Sequence, residues 1–285
     1  MNLENKQEKS ENILQKSFNR AFHGGTAGAT AMVLQVGSLM WLRTTMNYQY
    51  RHGVSTSVAL RTLYSQGGIP RFYKGIVPAL FQGPLSRFGD TAANAGVITF
   101  LDSHSSTKNL PVFLKTLCAS FTAGLWRIFL MPVDTLKTTL QVNGKEGIPL
   151  LRHKIHQHGF RVMYFGSFAS FSATYVGHFP WFFTYNYLNE KIPEYSGDRL
   201  KRFGRNALIG FSASFISDVS SNSIRVIKTT RQSQTEVQSY LQITRGIIQE
   251  KGVSSLLFRG LKTRIISNGL QGMMFTVLWK YFMDL

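Results

Sequence analysis

A six-residue phrase occurs three times in this chain: Leu42-Arg43-Thr44-Thr45-Met46-Asn47, Leu136-Lys137-Thr138-Thr139-Leu140-Gln141 and Ile227-Lys228-Thr229-Thr230-Arg231-Gln232. Each copy reads aliphatic, base, Thr, Thr, any residue, amide. The copies lie about 90 residues apart, the kind of period that marks a repeat architecture. Each is followed by a short amphipathic stretch (54–66, 148–158, 240–251) and then by Gly68, Gly159 or Gly252. An aromatic and a glycine come next: Tyr73 and Gly75, Tyr164 and Gly166, Phe258 and Gly260. Three copies of one pattern call for three copies of one structural unit. The boundaries expected are 18–103, 104–197 and 198–285, behind a polar tail at 1–17.

Residues 21–42 and 162–189 contain no Asp, Glu, Lys or Arg, and both runs exceed the ~20 residues with which a helix crosses a bilayer. Four further helix-length segments carry a few charges: 75–101 (Arg87, Asp90), 116–140 (Arg127, Asp134, Lys137), 206–227 (Asp218, Arg225) and 265–282 (Lys280). Charge at membrane depth is costly and faces a protein interior or a wet cavity rather than lipid. Each unit therefore reads as long helix, short surface helix, long helix. The expected fold is an all-α membrane protein with six transmembrane helices in three pseudo-symmetric repeats and short amphipathic surface helices on one side. Gly68, Gly159 and Gly252 are expected at positive φ, ending those surface helices. The pairs Gly24 and Gly28, Ser120 and Gly124, and Gly210 and Ser214, each four apart, suit close helix approach.

Charge falls on one face. The chain has 32 Lys and Arg against 14 Asp and Glu, a net +18. The segments inside the units hold Arg51, Arg61 and Arg71, then Lys145, Arg152 and Lys154, then Arg245, Lys251 and Arg259, whereas the connections between units are mixed in sign. The positive-inside tendency orients the bundle by that face, with both termini opposite. Such a surface suits membrane lipids with anionic headgroups, cardiolipin among them. Nucleic acid is disfavoured as a partner, because no soluble domain carries the charge. The single cysteine, Cys118, excludes a disulfide framework and a Cys-based zinc cluster. Residues 1–20 are polar and mixed in sign, so no secretory leader is expected. His153, His156 and His158 read as a solvated basic face, not a metal site. No catalytic set and no cofactor motif is visible.

Together with the tripling and the segments of the Gly252-to-Gly260 type, Pro132-Val133-Asp134-Thr135-Leu136-Lys137 in the second unit resembles the mitochondrial carrier family, from Phe18 to the C-terminus. The resemblance implies a six-helix barrel of pseudo-threefold symmetry in the mitochondrial inner membrane, exchanging a solute by alternating access. It also implies a matrix gate in which acid and base residues of neighbouring repeats pair and an amide braces each pair. At those positions stand Asp134, Lys137, Lys228, Arg43 and Arg225, with Asn47, Gln141 and Gln232 as braces. The family's proline position reads Ser38, Pro132 and Ser223, and its acid position reads Met40, Asp134 and Arg225. Only Asp134 with Lys228 keeps the expected attraction, and Arg225 is set against Arg43. One attraction and one repulsion, each of order 1–4 kcal/mol in a wet site, leave little net closing energy.

The family's second gate falls at Asn94, Ala95 and Ile98, at Tyr185, Asn186 and Asn189, and at Trp279, Lys280 and Met283, where no set holds both an acid and a base. Substrate contacts carry over, about seven residues after each closing glycine, to Gln82, to Ala173 with Thr174, and to Ser267. Arg127 and Asp218, threefold-related with Val33, are expected to face one cavity, either paired as a structural bridge or holding a zwitterion. Asp90, with Arg87, is a further cavity candidate. On charge alone, the eroded gates favour a transport-impaired accessory or structural subunit held by protein partners in an inner-membrane assembly. The alternative is an active carrier for a neutral or zwitterionic solute.

Overall fold

The computed structural model describes residues 30–283 apart from 31, 104–105, 196 and 198. The polar tail and the Gly24/Gly28 pair lie outside the described residues. Among those described, every regular element is a helix. Helix α1 spans 32–52 and is followed by α2 (Thr56–Ser65), α3 (Gly68–Phe72) and α4 (Ile76–Ser103). The second unit contains α5 (Val112–Phe129), α6 (Met131–Asn143), α7 (Gly147–His158) and α8 (Ser167–Lys191). The third contains α9 (Arg199–Ser233), α10 (Tyr240–Phe258) and α11 (Leu261–Met283).

The long helices form a closed ring. Val36 and Met40 of α1 pack on Ala79 of α4, α4 lies against α5, α5 against α8, α8 along α9, and α9 against α11. The ring closes where Gln35 donates to the Gln271 carbonyl (2.7 Å) and the Arg43 guanidinium to the Gln271 side chain. The small-residue pairs divide. A Cβ at Gly124 would lie 2.6 Å from the Phe171 ring, so α5 and α8 do approach closely there. Gly210 has open space around it and brings no helix closer.

The repeat is visible in the backbone. Gly68, Gly159 and Gly252 have φ of 62°, 75° and 76°, and the closing glycines Gly75, Gly166 and Gly260 have 85°, 97° and 64°. Each closing glycine sits against the first long helix of the next unit in rotation. A Cβ on Gly75 would lie 2.9 Å from the Lys137 carbonyl oxygen, one on Gly166 3.3 Å from the Lys228 stem, and one on Gly260 2.8 Å from the Tyr50 ring.

A second rotation of contacts follows the first. The last carbonyls of a helix have no partner within it and need donors from elsewhere. Arg71 donates to Gln141 O and Val142 O at the end of α6 (2.8 and 2.6 Å), and Lys154 to Gln232 O and Gln234 O at the end of α9 (3.3 and 2.8 Å). Lys251 donates to His52 O and Gly53 O at the end of α1 (3.1 and 3.2 Å). One base from each unit thus caps its neighbour, and all three short-helix segments gather at the same end of the ring.

The units differ at the proline position. Residues Phe113–Phe129 and Met131–His158 are inclined at 65°, with Pro132 in the first turn of α6. Proline offers no N–H, and its ring crowds the carbonyl four residues earlier. With Ser38 and Ser223 at the equivalent places, α1 and α9 run through unbroken.

One expectation from the charge-free runs changes here. Among the described residues no single helix is long and apolar enough to cross a membrane, and only the bent pair 113–129 and 131–158 reaches that level jointly. Uncharged is not the same as apolar: α8 carries Ser167, Ser170, Ser172, Thr174, His178, Thr184 and Asn186, which lower its hydropathy, and Ser170, Thr174 and His178 among them line the interior cavity.

Candidate functional site

The ring encloses a cavity of about 400 Å³. Its floor, at the basic end, is built on Asp134, which is 6% exposed. Lys228 of α9 lies 2.6 Å from its Oδ2 and Lys137, one turn along α6, lies 2.8 Å from its Oδ1. Gln232 donates to Asp134 Oδ2 (3.2 Å) and to Thr135 Oγ1 (3.1 Å). These contacts join the second and third units.

Amides serve the other two junctions. Asn47 of α1 donates to Gln141 Oε1, and Gln141 Nε2 donates to the sulfur of Met40 (3.4 Å), which stands where the first unit lacks an acid. Lys137 finds Gln82 of α4 at 2.9 Å. These bonds join the first and second units, while Arg43 with Gln271 joins the first and third. Arg225 donates to Ser221 Oγ at 3.2 Å. Tyr50, 1% exposed, donates to Asn222 (3.0 Å) beside this floor.

Higher in the ring Arg127 lines the cavity while Asp218 is buried behind its wall, and the structural bridge between them, one of the two alternatives, is not formed. Arg127 of α5 reaches across to Asp90 of α4 (2.6 Å) and to Ser86 Oγ (2.6 Å), whereas Asp218 of α9 takes Arg264 of α11 (2.7 Å) and Asn268. The reason is geometric. Threefold-related positions sit on alternate long helices, and the intervening even helix presents a nearer partner. Val33 is exposed, and Met32 takes its place in the wall. The Arg87 side chain lies outside the description.

Of the four positions expected to contact a substrate, two line the cavity and two do not. Ala173 and Ser267 are buried at 1% exposure and do not line the cavity, and Ser267 accepts from Gln271 (2.6 Å). Gln82 and Thr174 do line it. The wall is made by Gly83, Thr174 and Asn268, eight residues after each closing glycine, and one turn further by Ser86, Gly177 and Gln271. A helix turns about 100° per residue, so a one-residue offset separates lining from packing. The sequence reading does not include Arg264, Asn268 and Gln271, although their i, i+4, i+7 spacing marks a polar stripe along one face of α11. His178, with Nδ1 2.9 Å from Ser120 Oγ, also lines the cavity.

At the opposite end, Tyr185 stacks on Trp181 (5.0 Å between centroids), and Asn189 accepts from Arg205 (2.9 Å). Asn186 opens on a groove of about 270 Å³ with Phe113, Phe179 and Phe183. The side chains of Asn94, Ala95, Ile98, Trp279, Lys280 and Met283 lie outside the description.

Comparison with known proteins gives this architecture its class. The family model for mitochondrial carrier protein matches residues 108–196 and 200–285, more than half of the chain. The protein belongs to the mitochondrial carrier family. It is 26% identical over 274 residues to mitochondrial substrate carrier family protein Z of Dictyostelium discoideum, covering 90% of each chain. It is 28% identical over 144 residues to a mitochondrial carrier-like protein of Acanthamoeba polyphaga mimivirus, covering 50% of this chain and 55% of the viral one. The chain thus spans about half the length of that viral relative.

Proposed function

We propose that this protein is a solute carrier of the mitochondrial inner membrane, with six membrane-crossing helices, working by alternating access. In the conformation described here it is shut at its basic, matrix-facing end. The observation that carries this reading is that all three junctions between units are bridged at that end, one by Lys228 and Asp134, one by Asn47 and Gln141, and one by Tyr50 and Asn222. Counting charges alone leaves the gate without closing energy. Amide hydrogen bonds between buried partners contribute about 0.5–1.5 kcal/mol each, the scale on which a bound solute tips a two-state equilibrium. Polar bonds at all three junctions can form and break in a cycle, whereas a purely structural subunit has no need of a polar cavity above them.

Reconstitution into liposomes with a panel of solutes, together with a native gel of mildly solubilised membranes, tests this. Saturable exchange by a species migrating as a monomer is the expected result. No exchange of any solute, with migration only in a larger assembly, overturns it in favour of an accessory subunit. The lack of a complete acid–base set at the second gate positions is what favours that second reading.

A further inference from the structure

The cavity holds more positive charge than its carboxylates neutralise. Arg43, Arg127, Lys137, Arg225, Lys228 and Arg264 line it. Arg127 is matched by Asp90 and Arg264 by Asp218, while Lys137 and Lys228 share the one carboxylate of Asp134. Arg225 takes part in none of the ion pairs found among the described residues. A guanidinium offers five N–H donors, and the acceptor found for this one is Ser221 Oγ. Arg225 stands three residues before Lys228 on α9, a spacing that places both side chains on one face of the helix. It occupies the position at which the second unit has Asp134.

Arg225 beside Lys228, whose ammonium already shares the Asp134 carboxylate with Lys137, leaves net positive charge on one wall of the cavity and calls for an anion. The cavity's size, about 400 Å³, suits a small metabolite. Of Phe, Tyr and Trp, its lining includes Tyr50 alone, and that ring is 1% exposed and tied to Asn222. Among the described residues no Phe, Tyr or Trp face opens on the cavity for a nucleobase to stack on, and the one imidazole there, His178, is held by Ser120. Ser, Thr, Asn and Gln side chains around the wall can satisfy the remaining acceptors of a small oxygen-rich solute.

We infer that the cavity binds a small oxyanion, through a carboxylate or phosphate group, at Arg225 and Lys228, and that this anion supplies the negative charge missing from the third unit's gate position. The anion then belongs to the closed end as well as to the cargo. Its arrival adds to the junction between the third and first units, which Arg43 with Gln271 and Tyr50 with Asn222 already bridge and beside which Arg225 stands on α9. That consequence for the cycle rests on the carrier reading, but the binding site does not.

The test is thermal unfolding of the purified full chain in detergent at constant ionic strength, titrated with inorganic phosphate, malonate or, as a zwitterionic control, alanine. Saturable stabilisation by phosphate or malonate but not by alanine is expected, and which of the two acts identifies the anionic group. Arg225→Gln weakens the apparent affinity about tenfold or more, while Arg225→Lys, which keeps the charge, stays within about threefold. Arg152→Gln on the exposed face of α7 leaves it unchanged. If Arg225→Gln does not fold, protection of Arg225 from phenylglyoxal by the same anions in the unaltered chain, read by peptide mass, decides the matter. Stabilisation by alanine alone, or oxyanion affinity indifferent to Arg225, overturns the inference. Oxyanion binding without exchange in liposomes sinks the carrier reading and leaves the site standing, whereas exchange of a neutral solute without oxyanion binding does the reverse.

Discussion

Lys228 Nζ lies 2.6 Å from Asp134 Oδ2, joining the third unit to the second at a point where Asp134 also holds Lys137. The carboxylate is 6% exposed, so its charge is sustained by these two ammoniums and by Gln232 rather than by water.

Replacing Asp134 by Asn leaves two buried ammoniums without a counter-charge, and removing one side of such a cluster costs about 3–5 kcal/mol. The expected outcome is a clear drop in the unfolding midpoint in detergent. A double-mutant cycle with Lys228→Met is expected to return a coupling of about 1 kcal/mol or more. Additive effects would falsify the pairing.

The two classes of glycine respond differently to alanine. Gly75 and Gly159 both have positive φ, 85° and 75°, and a side chain there costs about 1–2 kcal/mol from backbone strain alone. At Gly75 the new Cβ also meets the Lys137 carbonyl oxygen at 2.9 Å, while at Gly159 it meets open space. Gly75→Ala is therefore expected to destabilise more than Gly159→Ala. Equal shifts in midpoint contradict the packing of the closing glycines on the next unit.

Lys154 gives the chain an alkaline pH dependence. It is 1% exposed, and burial, aided by the nearby charges of Arg51 and Arg231, lowers its pKa from 10.5 to about 8. Between those two values the unfolded chain keeps a proton that the folded chain has released, so stability rises as pH rises through that window. The gain is at most about 3 kcal/mol, set by the size of the shift. Unfolding midpoints from pH 7.5 to 10 are expected to rise relative to Lys154→Met, and parallel profiles for the two proteins rule the effect out.

Pro132 sets the bend of the second unit. Pro132→Ser, the residue present in the other two units, restores a backbone donor and lets α5 and α6 approach a continuous helix. Spin labels at Leu117 and Leu140 are expected to move apart, and an unchanged distance places the cause of the bend elsewhere.

The sequence by itself determined the threefold plan. The phrase around Arg43, Lys137 and Lys228, and the glycines that follow it, are local signals. Positive φ at Gly75, Gly166 and Gly260, and a break beside Pro132 but not beside Ser38 or Ser223, follow from the chemistry of one or two residues. Tertiary structure decided which side chains meet. Arg127 takes Asp90 instead of Asp218, Lys137 takes Gln82, and the cavity wall takes Thr174 but not Ala173, and Asn268 in place of Ser267. A repeat fixes equivalent positions but not the rotation of each helix about its own axis. That rotation is set by packing between helices far apart in the chain, and one residue of helical turn is enough to exchange a lining position for a buried one.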